Sequence, residues 1–179
     1  MKSRWTLLLT CLAIIGTASA QDTDILQKAI NKPGLSYNIY GPADHKIIKD
    51  KTVQGGQAVR VKIPKAGPDN WTVGAQSAIE KPIADADVLM IAFWARAPEL
   101  KDGETTPLPF VGVGLAQAPY TQIISGTVDV TNQWKLHMVR GRASGNFAAG
   151  TTNAGLHLAA NKAVIDLGPI FVLDLGPKP

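Results

Sequence analysis

The feature that most constrains the fold is a succession of short apolar segments, each bounded by Gly, Pro, Asn or Asp. The clearest is 57–63, in which Val59, Val61 and Ile63 alternate with other residues and share one face of a strand. Long helical periods are absent, which disfavours parallel βαβ units. The pattern predicts an all-β antiparallel sandwich or barrel. Its other predicted strands are 37–40, 71–80, 87–97, 108–116, 120–130, 133–140, 154–160 and 163–173.

The N-terminal segment 1–20 has the pattern of a secretory signal peptide. Lys2 and Arg4 precede the apolar stretch 5–16, and Ala-Ser-Ala at 18–20 forms a small-x-small cleavage pattern. The apolar stretch is shorter than the roughly 20 residues that span a bilayer, so a membrane anchor is the weaker interpretation. Cys11 raises the alternative of a lipoprotein box, although Thr is unusual before such a cysteine. We expect a periplasmic or secreted protein without a membrane span.

Composition limits the chemistry of the mature chain. Removal of Lys2 and Arg4 with the signal leaves 16 of the 18 basic residues against 14 acidic ones, a net charge of +2. This charge is too small to predict a nucleic-acid partner. The one cysteine, Cys11, lies in the signal, so disulfides and cysteine catalysis are not expected. Segment 21–35 is expected to be a lead-in with a short helix ending at Pro33, and 36–179 a single domain.

The catalytic motifs of common enzyme classes are not found in this sequence. After the signal there are only three glutamates, at a strand end or in a charged loop: Glu80, Glu99 and Glu104. No nucleophile elbow, phosphate-binding loop, H-E-x-x-H or dinucleotide fingerprint occurs. His45, His137 and His157 are far apart, and a zinc site would need further ligands that the sequence does not place. A small polysaccharide hydrolase or lyase is therefore the least expected function.

Side-chain alternation predicts which residues face away from the core. In 87–97, Leu89 and Phe93 fall on the apolar face, which leaves Trp94 and Arg96 on the other. In 133–140 we assign the apolar face to Trp134, Leu136 and Met138. Each of four predicted strands then has a planar polar group facing away from the core: Gln76, Arg96, His137 and His157. The alternatives are an ordinary solvated sheet surface or, if these strands are neighbours, a polar groove.

Such a groove would suit a sugar, because sugars present C–H faces to aromatic rings and hydroxyls to planar polar groups. The large aromatic residues available as platforms are Trp71, Trp94, Tyr120 and Trp134. Trp134 begins an apolar alternation and is better interpreted as a buried anchor.

The run from Trp71 to Gly176 also resembles a carbohydrate-binding-module-like jelly roll of the galactose-binding-like kind. The similar segments are KPIADADV at 81–88, IAFWAR at 91–96, VDVTNQW at 128–134, LHL at 156–158, NKAVIDLG at 161–168 and FVLDLG at 171–176. The resemblance implies a jelly-roll β-sandwich that binds carbohydrate without cleaving it. It also implies a structural calcium, for which Asp166 is the first candidate and Asp174 the second. No other cofactor is expected.

We therefore expect an exported, non-catalytic protein that binds a poly- or oligosaccharide on a concave sheet face. The expected ligand-binding residues are Trp71, Gln76, Trp94, Arg96, Tyr120, His137 and His157. The alternative is an envelope structural or protein-interaction module with the same fold and a protein partner. The fold resemblance alone does not separate the two, because one fold serves many functions.

Overall fold

A computed structural model describes residues 26–177, so the expected signal peptide and the start of the lead-in lie outside the described residues. Two antiparallel five-stranded sheets pack face to face, which confirms the predicted β-sandwich. Within the described part of the chain, no helix is long and apolar enough to span a bilayer.

Residues 26–177 form a sandwich of ten strands in two sheets. In chain order they are β1 Asn38–Tyr40, β2 Asp44–Lys49, β3 Gln57–Ile63, β4 Gly74–Ala78, β5 Asp87–Arg96, β6 Thr106–Leu115, β7 Gln122–Val130, β8 Lys135–Arg142, β9 Thr152–His157 and β10 Ala163–Pro177. The first sheet has the order β1-β4-β9-β6-β7, and the second has the order β2-β3-β10-β5-β8.

The core lies between the two sheets and is built from the alternating faces that the sequence predicts. On β5, Leu89, Ile91, Phe93 and Ala95 are all fully buried. Leu156 of β9 comes from the opposing sheet and is also fully buried. Because β5 and β9 are interior strands, their apolar faces are covered completely. The residues that alternate with the buried ones along each strand point out of the sandwich.

Strand β2 is an element that the sequence pattern missed, since no strand was predicted between 37–40 and 57–63. Three of its six residues, DHKIIK, are charged, and the apolar ones do not alternate cleanly. The segment is extended because it pairs with β3, with Ile47 opposite Val59. It is an edge strand, where lysines and short length are common because they discourage pairing with another chain.

The face assignment of β8 was wrong. His137 lies opposite Phe93 of β5 and is buried, whereas Leu136 and Met138 are 38% and 61% exposed. Residues opposite each other in an antiparallel pair share a face, so the inward Phe93 places His137 inward as well. Both faces of this edge strand carry apolar residues, and the alternation could not tell them apart.

The lead-in joins the two sheets from Ala29 onward. Ala29 and Gly34 form bridges with Leu173 and Ile170 of β10, and Asn31 forms one with Ile79 beyond β4. The buried Asn31 side chain accepts from the Val172 amide at 2.8 Å and donates to the Ser77 hydroxyl at 3.0 Å. Leu26 and Gln27 are helical, whereas Ala29, Asn31 and Gly34 are bridged to the sheets. The expected helix therefore does not continue to Pro33, and its first residues lie outside the described range.

Candidate functional site: an aromatic groove on the first sheet

A groove of about 560 Å³ lies on the outward face of the first sheet. Its walls and floor come from the strands β1, β4, β9, β6 and β7 and from two turns at its ends. The lining residues are Tyr40, Trp71, Gln76, Phe110, Gly114, Leu115, Tyr120, Gln122, Asn153, Gly155 and His157. Among the described residues, this lining is aromatic and polar and contains no Asp, Glu, Lys or Arg.

One end of the groove is formed by Trp71, which stands on the short 3₁₀ turn Asn70–Thr72 and is 57% exposed. The turn is held in shape by its own hydrogen bonds: the Thr72 amide donates to the Asp69 carbonyl at 3.0 Å. The indole meets the His157 ring edge-on, with ring centroids 6.2 Å apart. A large aromatic side chain is thus presented to solvent on a fixed support.

Tyr120 forms the other end, in the turn between β6 and β7. It is 66% exposed, and its φ of 56° lies in the left-handed region that non-glycine residues seldom adopt. Its amide donates to the Gln117 carbonyl at 2.9 Å, which closes the turn. An exposed aromatic residue in a strained backbone conformation is a recognised mark of a functional position.

The centre of the groove contains uncharged polar groups. Gln76 on β4 lies opposite Gly155 on β9, and Asn153 and His157 lie two residues to either side of Gly155 on the same face. The His157 ring stacks on Phe110 with centroids 4.4 Å apart. Burial lowers the pKa of His157, which favours the neutral imidazole. A neutral imidazole offers one donor and one acceptor nitrogen, as hydroxyl recognition requires.

The structure brings four of the predicted site residues together in this groove: Trp71, Gln76, Tyr120 and His157. The groove is also lined by Tyr40, Phe110, Gln122 and Asn153, which the alternation pattern did not indicate. For Phe110 a signal existed: in PFVGVGL, Val111 and Val113 alternate with Phe110 and two glycines, which places an aromatic residue on a bare outward face.

The other three predicted residues belong to the second sheet, so the expected single polar face does not form. Arg96 and Trp94 lie on β5, where residues 50–56 cover them from outside. Arg96 Nη2 is 2.7 Å from Asp50 Oδ2, and its guanidinium lies 4.7 Å from the centre of the Trp134 ring. Trp94 Nε1 donates to Gln54 Oε1 at 3.0 Å. These contacts fasten the covering segment to the sheet.

His137 points into the core, not toward a groove. Its ring packs on Phe93 with centroids 5.5 Å apart, and its Nε2 has no hydrogen-bond partner among residues 26–177. Burial and, to a smaller degree, the charge of Lys135 lower the pKa of His137. The assignment of His137 to the outward face of the sheet is therefore corrected.

Asp166 does not have the geometry of a calcium ligand. Its carboxylate is fully buried and accepts from Arg60 at 2.7 and 2.9 Å and from Arg96 Nε at 2.9 Å. Both oxygens are directed at guanidinium groups, which would repel a cation. Asp174, the second candidate, accepts from the Gly176 amide at 2.8 Å. Residues 26–177 contain no cluster of three or more His, Cys, Asp or Glu that could hold a metal.

Comparison with known proteins gives similar structures but no related sequence. No family model and no curated protein matches the chain. A CBM4 carbohydrate-binding module superposes with a TM-score of 0.57 at 17% identity, over 84% of this chain and 99% of that one. The CBM22-1 xylan-binding domain of Paenibacillus barcinonensis Xyn10C gives 0.54 at 13% identity, over 84% and 94%. The N-terminal cellulose-binding domain of Cellulomonas fimi β-1,4-glucanase C gives 0.54 at 17% identity, over 78% and 88%.

The chain therefore has the fold of a carbohydrate-binding-module-like β-sandwich, which confirms the fold resemblance. Identities of 17% and below show shape and not ligand, since one fold supports many functions.

Proposed function

We propose that the protein is an exported, non-catalytic carbohydrate-binding protein, and that the groove on the first sheet binds a neutral poly- or oligosaccharide. The observation that carries the proposal is the composition of the groove: exposed Trp71 and Tyr120 at its ends and uncharged polar groups at its centre. Export rests on the signal-like sequence 1–20. The structural neighbours named for xylan and cellulose binding support carbohydrate as the ligand class.

The arrangement matches the two surfaces of a sugar. Aromatic rings pack against its C–H faces, and amide and imidazole groups such as Gln76 and His157 donate to and accept from its hydroxyls. Asn153 and His157 are separated by four residues of β9, about 13 Å at the rise of a strand. The groove is therefore long enough for more than one sugar unit.

The absence of charge from the groove lining favours a neutral glycan. A uronate or sulfated sugar would lose hydration in the groove without gaining a cationic partner there. The described residues of this lining include no carboxylate, and glycoside hydrolysis normally requires a pair of carboxyl groups across the scissile bond. Binding without cleavage is the function that these side chains support.

The test is a glycan panel that contains neutral and uronic polysaccharides, followed by calorimetric titration of the best ligand with Trp71→Ala and Tyr120→Ala. Truncation of a large aromatic contact commonly costs about 2 kcal/mol of binding, roughly a 30-fold loss of affinity. Met138→Ala is the control, because Met138 is an exposed apolar side chain on the second sheet. The proposal is rejected if the parent protein binds no neutral glycan, or if Trp71→Ala and Tyr120→Ala bind the glycan as tightly as Met138→Ala does.

A further inference from the structure

Glycines inside strands need a physical reason, because they weaken a strand through backbone entropy and lack of packing. For Gly176 the reason is its φ of +75°, which lies in the left-handed region that favours glycine. Others have a close neighbour that would have to move to admit a side chain: a Cβ at these positions would lie between 2.3 and 3.0 Å from its nearest heavy atom. They are Gly74, Gly112, Gly114, Gly126, Gly141 and Gly168.

Gly155 differs from every other strand glycine between residues 26 and 177. Its φ is not in the left-handed region, and an added Cβ would meet only Phe110 Cε1, at an ordinary contact distance of 3.5 Å. Neither the backbone nor the packing of this structure therefore requires glycine at this position. A strand glycine can mark a bulge, a tight bend, or a place where a ligand or another backbone approaches closely, and β9 pairs with β4 and β6 at Gly155 without a register shift.

The position of Gly155 points to the groove as that place. Gly155 lies on the outward face of β9, since its neighbours Ala154 and Leu156 are fully buried in the core. Its partners in the flanking strands are Gln76 and Gly112, so it occupies the middle of the sheet. A side chain here would project into the groove between the polar groups of its centre.

We propose that Gly155 is a specificity-determining position, at which a ligand's sugar ring rests against the backbone of β9 beside the edge of the Phe110 ring. The inference rests on the proposed function and adds the location and depth of one sugar subsite. Gln76 reaches this subsite from the neighbouring strand, and Asn153 and His157 reach it from either side. Their side chains hydrogen-bond the hydroxyls at the edge of the ring, while its face covers Gly155. A side chain at 155 lifts the ring away from these partners.

Substitution tests the inference, because the structure predicts that the fold tolerates a side chain at 155. Affinity for the best neutral glycan is measured by calorimetry for Gly155→Ala and Gly155→Val, with thermal unfolding recorded in parallel. We expect a several-fold loss of affinity for alanine and at least a tenfold loss for valine, with unfolding midpoints at or above that of the parent. Ser125→Val is the control, because Ser125 pairs with Gly112 in the same row of the sheet but does not line the groove.

The outcomes separate this inference from the proposed function. If the parent protein binds a glycan and Gly155→Val binds it equally well, the subsite is refuted and the groove assignment stands. If the parent binds no glycan, the proposed function itself fails. If the valine variant does not fold, the alanine variant decides. Should both variants unfold, glycine is needed for packing and the inference is overturned.

Discussion

Arg96→Ala should destabilise the fold without directly weakening glycan binding. The substitution removes the bond from Nε to the fully buried Asp166 carboxylate, 2.9 Å long. A hydrogen bond to a charged group contributes about 1.5–3 kcal/mol. It also removes the stacking on Trp134, worth about 0.5–1 kcal/mol, and the partly exposed pair with Asp50, worth less than about 1 kcal/mol.

These contributions overlap, and Asp166 keeps its two bonds to Arg60, so we expect a total loss of about 2–4 kcal/mol. For a domain near 150 residues this lowers the unfolding midpoint by roughly 5–15 °C. Urea unfolding and calorimetry measure both quantities. Arg140→Ala is the charge-matched control, because Arg140 is exposed on β8, and it should change stability by less than about 0.5 kcal/mol.

Glycan titration well below the unfolding midpoint completes the experiment. The folded Arg96→Ala protein should bind with the affinity of the parent, because Arg96 lies on the second sheet and the groove lies on the first. An unchanged midpoint together with a tenfold loss of affinity would refute this reasoning. That result would mean that Arg96 contacts the ligand, as the sequence pattern suggested.

Two further predictions concern titratable groups outside the groove. Bonds from Thr52, with smaller contributions from Trp134 and Arg96, lower the pKa of Asp50 to about 2 from 3.8. Asp50 therefore contributes stability above pH 3.8 that is lost as the pH falls toward 2, and the difference in urea stability between the parent and Asp50→Asn should shrink over that interval. His137→Leu should raise stability at pH 7 by about 1 kcal/mol, because it removes a buried nitrogen without a partner. Since the pKa of His137 is lowered, the parent loses stability as the pH falls below 6.5, and His137→Leu should remove that part of the loss. If the stability of His137→Leu falls with pH as steeply as that of the parent, this prediction is contradicted.

The sequence by itself determined the class of fold and most of the strand faces. Alternation placed Leu89, Phe93 and Leu156 in the core, and turn residues bounded nearly all of the strands. These features are local, because a strand's period of two needs no knowledge of its partner. Strand β2, which contains charged residues, was missed, and the two faces of β8, both of which carry apolar residues, were reversed. Each of these strands takes its structure from pairing with a neighbour.

Only the tertiary structure decided which outward faces meet. Alternation shows that Gln76, Arg96 and His157 point away from a core, but not to which sheet each belongs. Pairing of β4 with β9 brings Gln76 and His157 into one groove, whereas pairing of β5 with β10 turns Arg96 toward Asp166. Strand partners in a sandwich are distant in sequence, and their choice depends on the packing of the whole chain. For that reason the sequence pattern predicted only part of the groove: four of the seven expected ligand-binding residues line it.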